Sequence, residues 1–470
     1  MSTGGYQPSE AGRATVPPRA LELWSKTPPP ARFAALVVAC ALLPAVVSSD
    51  YIVRVGVNTL IYALLALGLN VVVGWAGLLD LGYVAFFGFG GYAYALLSSD
   101  QFHIHWPAIA SVPVIVAASA LLGALIGLPS RRLLGDYLAI LTLFFGQAFV
   151  TLVSNADRIT PPGFKSAVNF TGGPNGINGV DNINSFGLTV TTVRGYFYLA
   201  LVVFVVVAAA LYSLNQSRTG RAWRSLREDP LAAELMGMPV NRLKLLAFVF
   251  GAAVAGLTGT VFAALQVGVF PGNFEIALLI MIYAMVILGG AGSMTGVITG
   301  AVTVNVVLEI LRTPDPSRWV FYGAIVAALL TFVRPYRRLA AIVVGTAVFG
   351  IAVHELVTRV DPGAAHGTPP GGGTLAHVVD HWVVLLTNPN TPGHIAYAGL
   401  LVAVAFLTQI RGVWRTILLV PTLYVAAFTW ENVLVGNPSV ARLILLGALL
   451  IALMNARPQG LFGTARIEIA

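Results

Sequence analysis

The sequence has little charge and almost no cysteine or lysine. Only 10% of its 470 residues are charged, whereas soluble globular domains carry about 25% charged residues. This shortage excludes a soluble enzyme and a disordered chain, because too little polar surface is available to cover several water-exposed domains. The single cysteine, Cys40, permits no intrachain disulfide and excludes a disulfide scaffold.

Apolar residues make up 57% of the chain, and its mean hydropathy is +0.83. At roughly 20 residues per span, this content is enough for on the order of 12–14 membrane helices. We therefore predict an all-α polytopic membrane protein with about 14 transmembrane segments, preceded by a disordered, proline-rich cytoplasmic tail at 1–31. The apolar runs lie at 32–49, 51–73, 76–98, 106–129, 134–153, 194–214, 243–267, 275–291, 293–311, 318–333, 338–358, 394–410, 412–430 and 440–456.

The net charge is +8, and arginine supplies almost all of the positive charge. Because membrane proteins keep their basic loops inside, this balance indicates orientation rather than nucleic-acid binding. With both termini cytoplasmic, the basic clusters fall on one side, and the basic-poor loops 154–193 and 359–393 are external. The arginines and lysine predicted to be cytoplasmic are Arg131, Arg132, Arg218, Arg221, Arg224, Arg227, Arg242, Lys244, Arg334, Arg337, Arg338, Arg411, Arg415 and Arg457.

The sequence shows no source of energy for transport. No span carries an acidic or basic residue clearly at its centre, which argues against a proton- or sodium-driven carrier. None of the three lysines follows a glycine, so the chain lacks the Gly-Lys-Ser/Thr of a phosphate-binding loop. An ATP-driven transporter of this sequence would need a separate ATPase and would bind no cofactor itself.

The predicted cytoplasmic loop 215–244 contains the signals of a short helix. Asp229 is a good N-cap, proline at 230 suits the first helical position, and Gly237 favours a left-handed stop. Leu231 and Leu235 share a face of this helix. Two helical turns are unstable alone in water. The helix therefore either docks into a groove on a partner ATPase or folds against the protein's own membrane face.

Glycines mark the second group of candidate sites. The helix–glycine–helix pattern at 74–77 recurs at 289–292, which suggests a faint internal repeat. Breaks of this kind can expose backbone polar groups to a water-filled path. Small residues four apart allow helices to approach closely, and plain helix packing is the simplest interpretation of Gly123, Gly127, Gly292, Gly296 and Gly300.

Polar residues inside the apolar runs are candidates for a solute pathway. A membrane centre bare of charge favours a zwitterionic or neutral polar solute, such as an amino acid or urea. Each candidate could instead form an interhelical hydrogen bond. Histidines at 103, 105, 377 and 381 fall in predicted external loops without enough further ligands, so no metal site is expected. The pathway candidates are Asn70, Asp80, Thr142, Gln147 and Tyr283.

Six stretches with weak glycine-rich patterns follow one another along the chain at 68–88, 135–143, 171–177, 218–247, 286–296 and 457–461. In this order they resemble one family, the M-type membrane subunit of branched-chain amino-acid ABC importers, which includes urea and amide permeases. The resemblance implies a permease of the bacterial inner membrane that works by alternating access. It also implies a homologous H-type permease, two cytoplasmic ATPases that bind ATP and magnesium, and an extracytoplasmic solute-binding protein as partners.

The same resemblance assigns roles and shows one departure. The run Ala232, Ala233, Glu234 and Gly237 is similar to the family's ATPase-coupling motif, so the ATPase-coupling residues it implies are Asp229, Leu231, Ala233, Glu234, Leu235 and Gly237. The expected permease core of about 10 spans covers 32–312 and ends with a final span in 440–470. Residues 313–439 add about four spans, expected to be a lipid-facing appendage or a docking unit. Rival functions are a self-contained carrier or channel and a membrane-embedded enzyme, although no catalytic constellation is evident.

Overall fold

A computed structural model describes most of the chain, and every predicted apolar run contains a helix in it. The basic residues at 131, 132, 334, 411 and 457 and most of the tail 1–31 lie outside the described residues. The described residues are 29–130, 135–160, 168–185, 188–333, 336–361, 367–369, 373–387, 390–410, 412–435, 437–456 and 460–462.

The first eleven helices form one hydrophobic core. Two of them, α7 and α8, are short and lie in the loop between α6 and α9, and a π-helical turn at Asn70–Trp75 extends α2. The helices are α1 (Pro29–Val46), α2 (Asp50–Leu69), α3 (Tyr83–Leu97), α4 (Ala108–Ser130), α5 (Asp136–Asn155), α6 (Val193–Gln216), α7 (Arg218–Glu228), α8 (Pro230–Leu235), α9 (Val240–Gln266), α10 (Ile276–Gly289) and α11 (Met294–Ile310).

Helix α9 lies at the centre of this core because its sequence is rich in small residues. It packs on α2, α3 and α4. Gly256 lies against Ser119 of α4, and Gly259 lies against the backbone of α3 near Phe87. Without side chains at these positions, the backbones approach closely and gain dispersion contacts that lipid alone would not provide.

By length and apolar composition, fewer than fourteen of the described helices qualify as full membrane spans. Nine of them are long and apolar enough to cross a membrane, or ten if Met294–Ile310 and Pro314–Leu330, which meet at 116°, form one broken span. Ala34–Val46 and Tyr83–Leu97 are apolar but shorter. The third predicted span, 76–98, contains only the helix Tyr83–Leu97, because residues 76–82 leave the helical path. The all-α polytopic class is confirmed, whereas the count of about fourteen spans stays a prediction.

Three two-stranded β-ribbons lie in the loops at the end of the core opposite to α7 and α8. β1 (Ser98–Ser99) pairs with β2 (Ile104–His105), and β4 (Asn184–Ser185) pairs with β5 (Leu188–Thr189). β3 (Ile177–Asn178) pairs with β6 (Gly268–Val269) and so attaches the long loop before α6 to the end of α9.

The imidazole of His105 lies between two carboxylates of these loops. Its Nδ1 is 2.6 Å from Asp181 Oδ2, and its Nε2 is 3.3 Å from Asp100 Oδ1. The hydrogen bond and charge of Asp181, followed by the charge of Asp100, raise the pKa of His105 above its ordinary value. A raised folded-state pKa stabilises the loop contact at low pH, and this contribution is lost as pH rises through that pKa.

We therefore expect histidine NMR titration of the labelled protein to give His105 a pKa above that of a free histidine. Asp181→Asn should lower this pKa more than Asp100→Asn, because the Asp181 contact is the shorter and the stronger. The reverse order would show that the Asp181 contact does not exist in the membrane.

Residues 313–435 pack as a unit around two small apolar clusters, and the cluster at Trp430 also includes Ala441 of the final helix. The final helix, α17 (Pro438–Ala456), contacts both this unit and helices α10 and α11 of the core. We call residues 313–435 the insert. Its helices are α12 (Pro314–Phe332), α13 (Tyr336–Val360), α14 (Thr374–Val379), α15 (Asn390–Gln409) and α16 (Val413–Thr429), followed by a π-helical turn at Trp430–Leu434.

The insert is built around a fully buried ion pair. Arg318 Nε donates to Glu431 Oε2 at 2.9 Å, and both side chains are wholly inaccessible to solvent. Tyr322 Oη donates to the other carboxylate oxygen at 3.2 Å. Beside the pair, the rings of Phe321 and Trp430 stack with centroids 4.2 Å apart. These bonds join α12 to the end of α16 and therefore hold the first and last helices of the insert together.

Candidate functional site

Helix α8, which we call the docking helix, is capped as the sequence predicts. The Asp229 carboxylate accepts hydrogen bonds from the backbone amides of Leu231 at 2.8 Å and Ala232 at 3.0 Å. Proline occupies the first position, and Gly237 has a φ of +78° just beyond the C-terminus. These local interactions define a helix of only six residues.

The apolar side chains of the docking helix point away from the protein. Leu231 is 72% exposed, Leu235 is 89% exposed and Met236 is 81% exposed. Ala233 is buried, and Glu234 is exposed. The leucine face of the docking helix is therefore not covered by the described part of the chain, whereas Ala233 packs inward. The docking helix presents a small apolar tip that a partner could cover.

Helix α7 attaches the docking helix to the core through Trp223. This side chain is fully buried, and its Nε1 donates to the carbonyl oxygen of Leu243 at 2.8 Å. Its ring stacks on Trp75 with centroids 6.3 Å apart. Trp75 ends the π-helical turn after α2, so α7 contacts the point where that helix breaks.

We call residues 70–82 the first break. They comprise the π-helical turn that extends α2 and the segment 76–82, which leaves the helical path before α3. Side chains replace the lost backbone hydrogen bonds. Tyr283 Oη accepts from the amide of Asp80 at 3.1 Å and donates to its carbonyl oxygen at 2.8 Å. Thr142 Oγ1 accepts from the amide of Leu81 at 2.9 Å, and Asp80 Oδ1 accepts from the amide of Gly82 at 3.0 Å. Backbone amides and carbonyls that leave a helix inside a membrane need hydrogen-bond partners from the protein, because lipid offers none.

Residues 289–293, which we call the second break, separate α10 from α11 and contact the first break directly. Asn70 Oδ1 accepts from the amide of Gly292 at 2.8 Å, and Trp75 Nε1 donates to its carbonyl oxygen at 3.1 Å. Gly292 has a φ of +96°, a conformation that favours glycine. The two glycine motifs that resemble each other in sequence therefore lie side by side.

Three further groups meet at the paired breaks. The guanidinium of Arg227, at the end of α7, donates to the carbonyl oxygens of Gly74 at 2.5 Å and Ala291 at 3.3 Å. The amides of Leu461 and Phe462, near the C-terminus, donate to the carbonyl oxygens of Leu288 at 2.9 Å and Gly289 at 3.0 Å. Hydrogen bonds thus connect both breaks and the C-terminal segment with the loop 215–244, which we call the docking loop.

The five pathway candidates have different environments. Asp80, Thr142 and Tyr283 form the hydrogen-bonded group that supports the first break, and buried Asn70 joins the two breaks. Gln147 is exposed. It lines a small cleft between α3, α5 and the start of α10, together with Gly82, Phe274, Glu275 and Leu279 among others. The role of these residues in a pathway stays a prediction.

Sequence reasoning counted Arg227 only as one of several basic loop residues. Its contact with both breaks depends on how α7 packs, and no spacing rule reveals this. The buried partner of Glu431 was missed for the same reason. One signal could have indicated the contact of Arg227 with both breaks. The predicted topology places this arginine, just before the docking helix, on the same side of the membrane as the two glycine motifs.

The packing glycines lie where helices meet. A Cβ on Gly123 would come within 2.6 Å of Ala252 Cβ, and one on Gly127 within 3.0 Å of Leu245 Cδ1, so both face α9. Gly296 and Gly300 of α11 face the backbone of α10 near Gly289. Gly292 differs from them, because it belongs to the second break.

Gly300→Val should destabilise the protein by about 1–3 kcal/mol or more. Its Cβ would overlap the Met285 carbonyl oxygen and lie 2.8 Å from the Gly289 amide nitrogen, and these backbone atoms cannot rotate away. Gly399→Val in α15 is the matched control, since no described atom lies within 4 Å of an added Cβ there. Thermal unfolding in detergent, monitored by size-exclusion chromatography, should give Gly300→Val a lower melting temperature than Gly399→Val. Equal melting temperatures would show that α10 and α11 do not pack in this way.

Helices long and apolar enough to cross a membrane, two of them interrupted at paired glycines, define an all-α polytopic membrane protein. The family described as "branched-chain amino acid transport system / permease component" matches residues 51–330. The chain belongs to this family.

Curated relatives agree with the expected M-type subunit. The chain is 36% identical over 319 residues to the high-affinity branched-chain amino acid transport system permease protein LivM of Salmonella typhimurium and to that of Escherichia coli. Each match covers 63% of this chain and 72% of the relative. The Escherichia coli permease protein LivH is 26% identical over 257 residues, which covers 52% of this chain and 80% of LivH. No solved structure matches.

Proposed function

We propose that this chain is one of the two transmembrane permease subunits of an ATP-driven importer for amino acids, most specifically branched-chain amino acids. The observation that carries the proposal is the exposed apolar tip of the docking helix, joined through α7 to the paired breaks. Such an arrangement suits a subunit that receives motion from a partner and converts it into a change of the helices around a pathway.

The docking side supports an ATPase partner. Leu231 and Leu235 are exposed on a helix of six residues, and Met236 directly after it is exposed as well. A helix this short would be unstable in water without neighbours. An amphipathic helix of this kind inserts its apolar face into a groove. The chain itself carries no phosphate-binding loop. In this proposal, ATP and magnesium bind to two cytoplasmic ATPases, and their closure pushes on the docking helix.

The solute is proposed to pass beside the cleft at Gln147. The amide of Gln147 and the carboxylate of Glu275 are polar groups that a zwitterion could contact, and Phe274 and Leu279 supply apolar surface for an aliphatic side chain. The relatives are named for branched-chain amino acids. Urea or an amide is the alternative solute within the family, and a self-contained carrier or channel is the alternative mechanism.

The proposed assembly has three further kinds of subunit or partner. A homologous H-type permease would form the other half of the channel, and LivH-type relatives support this pairing. Two ATPases would bind the docking helices, and a solute-binding protein would deliver the amino acid from outside. The proposed location is the bacterial inner membrane. Both termini would then be cytoplasmic, and transport would follow alternating access.

Purification of the tagged chain from its native membranes tests this proposal. We expect a second permease and an ATPase to copurify. Proteoliposomes made from that complex, with the solute-binding protein added, should take up labelled leucine only when ATP is supplied. Uptake by the isolated chain without ATP would contradict the proposal and favour a self-contained carrier. ATP-dependent uptake of urea, but not of leucine, would correct the solute.

A further inference from the structure

Arg227 occupies the position where the docking loop meets the membrane helices. It is in the last turn of α7, two residues before the Asp229 cap of the docking helix. Its Nη1 is 2.5 Å from the Gly74 carbonyl oxygen and 3.3 Å from the Ala291 carbonyl oxygen. One guanidinium nitrogen therefore touches the first break and the second break together.

The chemistry of the two breaks explains why a cation lies there. A helix that ends leaves carbonyl groups without intrahelical partners and carries a partial negative charge at that end. The π-helical turn ends at Trp75 and α10 ends at Gly289, so two such ends meet beside Arg227. A guanidinium is always charged, has five donor hydrogens and is less strongly hydrated than an ammonium. It can therefore satisfy and neutralise both ends.

The glycines of the motifs leave room for this side chain. A Cβ on Gly77, whose φ is +70°, would lie 2.9 Å from Arg227 Cγ. A Cβ on Gly292 would lie 2.6 Å from Arg227 Nη1. Both glycines have positive φ values and both border the arginine. The two breaks thus form a cradle that the arginine of the docking loop fills.

We propose that Arg227 is a positioning residue that transmits movement of the docking helix to both breaks at once. The buried side chain of Trp223 anchors α7 to the core. Arg227 lies at the end of α7 next to the docking helix, so a push on the docking helix displaces Arg227 together with its segment. Displacement of the guanidinium removes hydrogen bonds from both helix ends together, and the two broken helices then change position in concert. This inference rests on the proposed function and names the residue that connects the docking helix to the paired breaks.

The reconstituted complex of permeases, ATPases and solute-binding protein tests the inference. Arg227→Gln keeps a side chain of polar character but removes the charge and most donors. We expect it to assemble and to hydrolyse ATP within about twofold of the wild-type rate, whereas uptake per ATP hydrolysed falls at least about tenfold. Arg221→Gln is the matched control, because exposed Arg221 lies in the same helix and donates to Gln216 within its own loop. It should retain normal coupling.

Hydrogen exchange supplies a readout that a purely structural role would not move. In the wild-type complex, trapping the ATPases with vanadate should change exchange at 70–77 and 289–293. In Arg227→Gln the change should be confined to α7 and the docking helix. If Arg227→Gln does not assemble, Arg227→Lys provides the same comparison, with an expected loss of coupling of a few-fold.

The outcomes separate the inference from the proposed function. Normal coupling in Arg227→Gln, or normal exchange changes at both breaks, overturns the role of Arg227 while leaving the importer intact. Equal losses of ATP hydrolysis and uptake in an assembled complex also overturn it, because they show a general defect. Absence of ATP-dependent uptake in the wild-type complex instead overturns the proposed function.

Discussion

Leu231→Asp combined with Leu235→Asp should abolish uptake while leaving the protein folded and inserted. Both leucines are largely exposed in the isolated chain, so the aspartates remain in water and cost the fold little. In the complex they would bring two charges into an apolar groove. Burying a polar or charged group in apolar surroundings without a partner costs about 2 kcal/mol or more. Two such groups reduce affinity for the ATPase by roughly 10³-fold at 1.4 kcal/mol per decade.

The measurement is leucine uptake in proteoliposomes, together with size-exclusion chromatography of the permease alone. Leu231→Met combined with Leu235→Met is the matched control, since it keeps the volume and apolar character of the tip. It should transport at close to the wild-type rate. Retained uptake in the aspartate variant would show that the docking helix does not receive the ATPase.

Glu431→Leu should be the most destabilising single change in the insert, at about 3–5 kcal/mol, because it removes one partner of a fully buried ion pair. Arg318→Met combined with Glu431→Leu should recover most of that loss, since both charges are then removed. Hydrogen exchange should localise the effect. Protection should fall in Pro314–Phe332 and Val413–Thr429, whereas α9 of the core should keep its protection.

The exposed pair formed by Glu355 and Arg359 is the control for this prediction. Its side chains are 60% and 80% exposed and 3.3 Å apart, and exposed pairs of this type contribute about 0–1 kcal/mol. Glu355→Gln should therefore leave unfolding almost unchanged. A Glu431→Leu variant as stable as Glu355→Gln would show that α12 and α16 do not meet through this ion pair.

The docking helix illustrates what could be predicted locally. Asp229 caps it, and Gly237 ends it with a positive φ, as the sequence indicates. These features depend on residues within a few positions of one another, so they can be read along the chain. The direction of Leu231 and Leu235 could not be read in this way. Two environments were consistent with the same sequence, and the exposure of both leucines is visible only in the folded chain.

The first break shows where sequence reasoning reached its limit. The glycines at 74 and 77 indicated an interruption, and Asp80 and Thr142 were recognised as polar residues in apolar surroundings. The seven residues 76–82 were nevertheless counted in a full span. Whether a glycine-rich apolar segment stays helical depends on neighbours that can satisfy its amides, and here Thr142 and Tyr283 do so.

The sequence by itself determined the class of protein, the approximate positions of its helices and the capping of the docking helix. Hydrophobic length and end signals are properties of contiguous residues. The tertiary structure decided which breaks touch, because Gly292 and Asn70 are 222 positions apart and Arg227 and Gly74 are 153 apart. It also paired Arg318 with Glu431 across 113 positions. Partners at such distances are chosen by the packing of helices, which local spacing does not encode.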